Sequence, residues 1–449
     1  MGRSSTCICK FLCKPFIYCG TKFISLCRNR KLKRFLLATF TIYFLTFCIA
    51  LPILCRDLPL TKYYRLWKGT SRQALINEAK DINSVNADNA QTHLDRMPKE
   101  ATKQLYEESM RKRDLRYAIV VQTIPRYGRP SPRYLSQLMV ALHDILRESG
   151  GIAETALFIC NTQRSAGEHK EALALSEYFP MVQTSLGPRM DRYEREKEDY
   201  LFCLQEAQTL SPKYVIVLQD DALPRADFYT VMDYVLKYRV ETQIHQSELH
   251  PDHDDWVWLK LNFPDSLAKY ERNYYFALEW VSISLIGASI FVFMMRFILT
   301  SYCGMNADEK AIGVLPCFLV GFAYCMLFTW LLGRPYVTLP LTLSKSFYRL
   351  GPGTSCCLPA VLYPQSQLPG IIRFLETVQL DRSRPLDFAL DDYRAQSKLR
   401  QFLISPNLFF HIGVVSALHS STSNSRVAES FLFIVKTMKT PFFNWIPQD

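Results

Sequence analysis

Gln219, Asp220 and Asp221 close the apolar run of YVIVLQDDALPRADFY, Tyr214–Tyr229. Tyr214 to Leu218 has the texture of a strand buried on both faces, so two carboxylates stand where the chain leaves a core. Adjacent acids resist ionising together unless a cation or donor lies between them. Solvated Asp residues at a strand-to-turn junction are the plain alternative. His411, in PNLFFHIG, follows an apolar pair and precedes a glycine; such a lone His is commonly a structural residue. Taken together, Asp oxygens and an imidazole suit Mn²⁺ or Mg²⁺ better than zinc. A divalent ion between a strand-end carboxylate and a diphosphate would neutralise charge on a nucleotide leaving group. Sugar transfer also needs a base for the acceptor hydroxyl. Asp387, Asp391 and Asp392 in RSRPLDFALDDYRAQSKL are the candidates, although an Asp there is often only a helix cap.

The elements that must position these groups alternate. YAIVVQTI reads as a strand, YLSQLMVALHDILRES as an amphipathic helix, and TALFICNT as a strand. ALALSEYFP comes next as a short helix or turn. DRYEREKEDYLFCLQEAQTL is then a long helix leading into the Tyr214 strand. A β-α-β-α-β order predicts an α/β fold with a mostly parallel sheet. Ligands in such sheets bind beyond the carboxyl ends of the strands, where Asp220 and Asp221 stand. Later in the chain, SFYRLGPGTSCCLPAVLYP reads as a constrained loop and GIIRFLETVQL as a helix, while the Ser-rich HSSTSNS reads as a loop.

The chain of 449 residues is 49% hydrophobic and 13% aromatic, with a net charge of +11. Nine basic residues and no acid fall in residues 1–34, so the excess charge belongs to a short tail and nucleic acid is not an expected partner. Phe35 to Cys55 is an uncharged run long enough to cross a bilayer, and Lys31 to Arg34 before it place that side in the cytosol. It reads as an uncleaved signal anchor. Trp280–Cys303, interrupted by Arg296, and Ala311–Gly333 are two further spans joined by GMNADEK. A link that short makes a hairpin, which returns the chain to the side it left. The expected layout is therefore a cytosolic tail at 1–34, an anchor at 35–55, a stem at 56–113, a domain in two parts at 114–279 and 334–449, and a hairpin at 280–333. Cys7, Cys9, Cys13, Cys19 and Cys27 in the tail suggest free or acylated thiols, whereas Cys160, Cys203, Cys356 and Cys357 permit two disulfides.

This order resembles Golgi glycosyltransferases with the GT-A fold: QDD at 219–221 matches their acidic triplet, HIG at 411–413 their metal-binding histidine, and EKEDYLFCL the helix before the triplet. The inserted hairpin, with WLKLNFP, LGPGTSCCLPAVLYP and PNLFFHIG in order, resembles the post-GPI-attachment-to-proteins GalNAc-transferase family over about residues 115 to 420. That resemblance implies a GT-A-type, Rossmann-like sheet split by a transmembrane hairpin. It also implies an inverting transfer of GalNAc from UDP-GalNAc to a mannose of the GPI core, on a GPI-anchored protein or glycolipid. The expected setting is the Golgi membrane, with the N-terminus cytosolic and the catalytic part lumenal. Asp221 and His411 would hold Mn²⁺ or Mg²⁺, with Gln219, Asp220, Asp199, Gln122 and Arg126 on the donor side and Asp387, then Asp391 or Asp392, as base. Gln219 departs from the acid usual at the first triplet position, and its amide can hydrogen-bond a ribose but adds no charge. An N-glycan GlcNAc-transferase and a non-catalytic three-span adaptor are the alternatives.

Overall fold

A computed structural model describes residues 30–67, 72–126, 131–163, 167–184, 191–241, 256–303, 313–353, 356–415 and 425–438. The cysteine-bearing part of the tail, the GMNADEK link and nearly all of the Ser-rich loop lie outside these residues. The chain forms two compact units, 1–68 with 270–334 and 69–269 with 335–449.

The first unit holds three helices long and apolar enough to cross a membrane, with spans Phe35–Leu54, Tyr274–Phe297 and Val314–Leu332. The second helix starts at Tyr274, six residues ahead of the expected Trp280, because Asn273 Oδ1 accepts the Tyr275 N–H and caps it. Small residues let the helices close up: a Cβ on Gly287 would lie 2.6 Å from Cys325 Sγ, and one on Gly321 would lie 2.7 Å from the Phe291 ring. Polar side chains find partners within the unit. Tyr43 donates to the Val320 carbonyl at 2.8 Å, and Trp280 Nε1 donates to Thr329 Oγ1 at 2.9 Å. Glu279 pairs with Arg334 at 2.9 Å where the third span ends.

The second unit is an α/β domain. In chain order it comprises α1 (Arg72–Arg96), α2 (Lys99–Met110), β1 (Tyr117–Thr123), α3 (Tyr134–Glu148), β2 (Thr155–Asn161), β3 (Met181–Gln183), α4 (Arg192–Thr209), β4 (Tyr214–Gln219), β5 (Ala222–Pro224), α5 (Phe228–Val235) and β6 (Trp256–Lys260). After the hairpin come β7 (Arg349–Pro352), β8 (Ala360–Pro364), α6 (Leu368–Thr377), α7 (Leu386–Ser397), β9 (Arg400–Ser405), β10 (Phe409–His411) and α8 (Ser425–Met438). Eight strands make one sheet in the order β3-β2-β1-β4-β8-β6-β9-β7. Strands β8 and β7 run against the other six.

Alternation along each strand builds two cores. Ile119, Val121, Ile216 and Leu218 face a layer with α3 and α5, whereas Ala118, Val120, Val215 and Val217 face α4, α6 and α7. A disulfide between Cys160 of β2 and Cys203 of α4 crosses the second core, and Cys356 is bonded to its neighbour Cys357. The segment expected as a stem forms a helix pair on the domain. Ile76 and Ala79 of α1 pack with Phe431 and Leu432 of α8, and Tyr106 of α2 meets His143 of α3 at 3.0 Å.

Candidate active site

β4 delivers Gln219, Asp220 and Asp221 to its carboxyl end, and the short strand beyond them turns these residues into a site. β5 leaves directly after Asp221 and pairs antiparallel with β10, with His411 opposite Ala222. That register sets His411 Nε2 3.1 Å from Asp221 Oδ2 although 190 residues separate them. Gly413 is required by the same packing, since a Cβ there would fall 1.8 Å from Asp221 Oδ2. The Ile412 N–H also donates to the Asp221 carbonyl at 2.8 Å.

The cation that lets two buried acids coexist is Arg126, on the loop after β1. Its Nη2 reaches Asp220 Oδ1 at 2.5 Å and Asp221 Oδ2 at 2.7 Å, while Nη1 donates to the Val415 carbonyl. Tyr134 lies under the guanidinium with its centroid 5.2 Å away. Thr123 donates to Asp220 Oδ2 at 2.8 Å and bonds His169 Nε2 at the same distance. The two carboxylates are consequently unlike. Burial tends to raise both; for Asp220 it wins, whereas for Asp221 Arg126 and then His411 outweigh it and hold the carboxyl well below its usual range. Burial opposes charge on Arg126 too, but the two acids keep it protonated.

Whether a divalent ion fits can be read from the free valences. Asp221 Oδ1 is buried with no hydrogen-bond partner among the described residues. It sits on the carboxylate whose other oxygen is 3.1 Å from an imidazole nitrogen, a separation that two ligands of one ion adopt. Among the described residues no set of three or more His, Cys, Asp or Glu side chains is arranged to hold a metal. Asp221 and His411 therefore offer two protein donors, and diphosphate oxygens would have to supply others, as is usual for Mg²⁺ at nucleotide sites. Arg126 already neutralises one of the two carboxylate charges.

A cavity of about 480 Å³ opens at this strand end. Gln122, Arg126, Asp199, Gln219, Asp220, Asp221 and His411 all line it, so the donor-side and metal-side candidates converge. The three candidate bases do not line it. Asp392 is paired with Arg384 at 2.7 Å and Asp391 with Arg394 at 2.9 Å. Asp387 accepts the Phe388 N–H at 3.0 Å at the start of α7, and only its neighbour Leu386 reaches the wall.

The wall instead contains Arg192, Arg195 and Glu196 of α4, which the sequence reasoning passed over. Glu196 has no ion pair within 4 Å among the described residues. Burial, and next the charge of Asp387, push its carboxyl up to about 7, with Arg192 opposing. The only sequence signal for it was helical spacing, since Glu196 and Asp199 stand three residues apart on one face of α4.

A mostly parallel sheet ending in an acid pair, accompanied by three apolar helices, defines a GT-A-like membrane glycosyltransferase. A family model described as GPI-N-acetylgalactosamine transferase PGAP4 matches residues 117–410, from the first residue of β1 to the residue before His411. The chain belongs to that family of GPI-glycan GalNAc-transferases.

Proposed function

We propose that this chain transfers GalNAc from UDP-GalNAc to a mannose of the GPI core, with inversion and with Mn²⁺ or Mg²⁺, in the Golgi lumen. The observation that carries the site assignment is the meeting of Asp221 and His411 across β5 and β10, with the Asp221 Oδ1 valence open.

On this reading Asp221 and His411 hold the ion, which when bound neutralises charge on the departing diphosphate. Arg126 and Thr123 keep Asp220 fixed beside it. Gln219 donates an amide N–H to a ribose hydroxyl. Gln122 and Asp199 complete the donor wall, and Arg192 and Arg195 add positive charge to it. The acceptor oxygen attacks the anomeric carbon as the bond from that carbon to the diphosphate breaks, and UDP leaves with the bonding electrons. The acceptor proton passes to Glu196, the carboxylate on the cavity wall, whose basicity is raised by burial and by the neighbouring charge of Asp387.

Purified full-length protein with Mn²⁺ and a mannose-containing GPI glycan should release UDP from UDP-GalNAc and form a GalNAc product. Preference for UDP-GlcNAc with an N-glycan acceptor would overturn the donor and acceptor assignment, and no turnover with either would favour a non-catalytic protein. Transfer that persists in EDTA, or in Asp221→Ala, would remove the metal role.

A further inference from the structure

The segment after the third span carries an exposed apolar and basic patch that neither core nor cavity uses. Leu343 is 68% exposed and Phe347 51%, in a stretch of short helical turns, Leu339–Leu343 and Lys345–Phe347. Beside them Leu236–Glu241 continues α5, and its Tyr238 is 55% exposed. The two pieces form one surface. Arg239 Nη2 donates to the Ser346 carbonyl at 2.6 Å, the Lys345 ammonium lies 5.4 Å from the Tyr234 ring centroid, and Tyr234 packs on Tyr238 at 4.9 Å.

Charge on this surface is mostly positive. Lys237, Arg239, Lys345 and Arg349 are its cations over Leu236–Glu241 and residues 339–349, and the acid of these stretches, Glu241, is paired with Lys213 at 2.8 Å. Large apolar side chains held open to water beside cations are what a headgroup-level surface requires, with rings and Leu below the phosphates and ammonium groups among them. Covalent continuity points the same way. Leu343 stands eleven residues beyond Leu332, the end of the third span, and the intervening path is helical over Arg334–Thr338 and Leu339–Leu343. At helical rises of 1.5 to 2.0 Å per residue those two turns advance the chain by only about 18 Å.

We propose that Tyr238, Leu343 and Phe347, with Lys237 and Lys345, form a lipid-surface contact that docks the α/β domain at the headgroup phosphates of the bilayer. The contact stands on exposure, charge and chain length; its kinetic consequence rests on the transferase reading.

Full-length protein in nanodiscs of phosphatidylcholine and a diazirine-bearing phospholipid, irradiated and mapped by mass spectrometry, tests it. Lipid adducts are expected on the 343–347 and Tyr238 peptides as well as on the spans. Adducts confined to the spans overturn the proposal. Cross-links between Lys345 of two copies, formed by an amine-reactive bifunctional reagent on the same nanodiscs, in place of lipid adducts also overturn it and assign the patch to a second copy. These readouts need no variant and no activity, so they decide the contact even if no transfer is found. Where transfer is present, Leu343→Ser/Phe347→Ser should raise KM for a bilayer-borne GPI acceptor by roughly threefold or more, through loss of effective concentration, while KM for a water-soluble glycan stays unchanged.

Discussion

Asp221 occupies a place that only a neighbour without a side chain permits. Gly413→Ala puts a methyl group inside van der Waals contact of its carboxylate, so the acid or β10 must shift. Transfer should fall by about 100-fold, as displacement of a reacting geometry by an ångström does, and UDP-GalNAc turnover beside a folding check by circular dichroism measures it. Glu196 predicts a pH effect with a definite sign. Its proton leaves near 4.5 in an unfolded chain and at about 7 in the fold, so the folded state holds the extra proton between those values. Stability contributed by that proton is present below about 4.5 and is lost as pH rises through 7. Glu196→Gln should raise the melting temperature more at pH 8 than at pH 5. If Glu196 also accepts the acceptor proton, the same variant lowers kcat by about 10² to 10⁴ with KM for UDP-GalNAc little changed, and removes the acid limb near pH 7. Gln219, Asp220, Asp221 and His411 were legible in the sequence because an apolar strand ran into acids and a histidine stood two residues before a glycine. Arg126 was legible only through family resemblance, since it serves the acids when β1 and β4 lie side by side. Asp391 did carry a local signal of its partner, Arg394 one helical turn on, whereas nothing local marks Arg384, eight residues earlier, as the partner of Asp392.

At the scale of elements, the Cys160–Cys203 disulfide fixes the helix that carries Arg195, Glu196 and Asp199 to the strand beside β1. It closes a 43-residue loop, for which chain entropy gives a contribution of about 4 kcal/mol. Cys203→Ser should therefore lower the melting temperature and the transfer rate together. Cys356→Ser/Cys357→Ser opens no loop of that kind and should leave the melting temperature nearly unchanged; a thermal scan of both variants separates them. β1, β2 and β4 were readable as elements, since strands buried on both faces spell uninterrupted apolar runs. β5 and β10 were not, being three residues each, yet their register brings His411 to Asp221. The antiparallel insertion of β8 between β4 and β6 was equally hidden, because strand order is decided by partners distant in sequence.

At the scale of the whole molecule, strands on both sides of the hairpin share one sheet: β4 pairs with β8, and β6 pairs with β8 and β9. Residues 72–241 and 335–415 must then occupy one compartment, and a protease-protection assay on intact vesicles should shield both together. Digestion of one half alone would be incompatible with this sheet. The sheet also ties folding to synthesis. β8 emerges roughly 140 residues after β4, which at 5–20 residues per second is about 7 to 28 s. Throughout that interval the edge of β4 that β8 will cover has no partner and is open to wrong pairing. A nascent chain in which only one of the two hairpin spans inserts leaves its later strands across the membrane from the earlier ones. Completion of the enzyme's sheet thus doubles as a proofreading step for that threading error, because a half-threaded chain never acquires His411 beside Asp221.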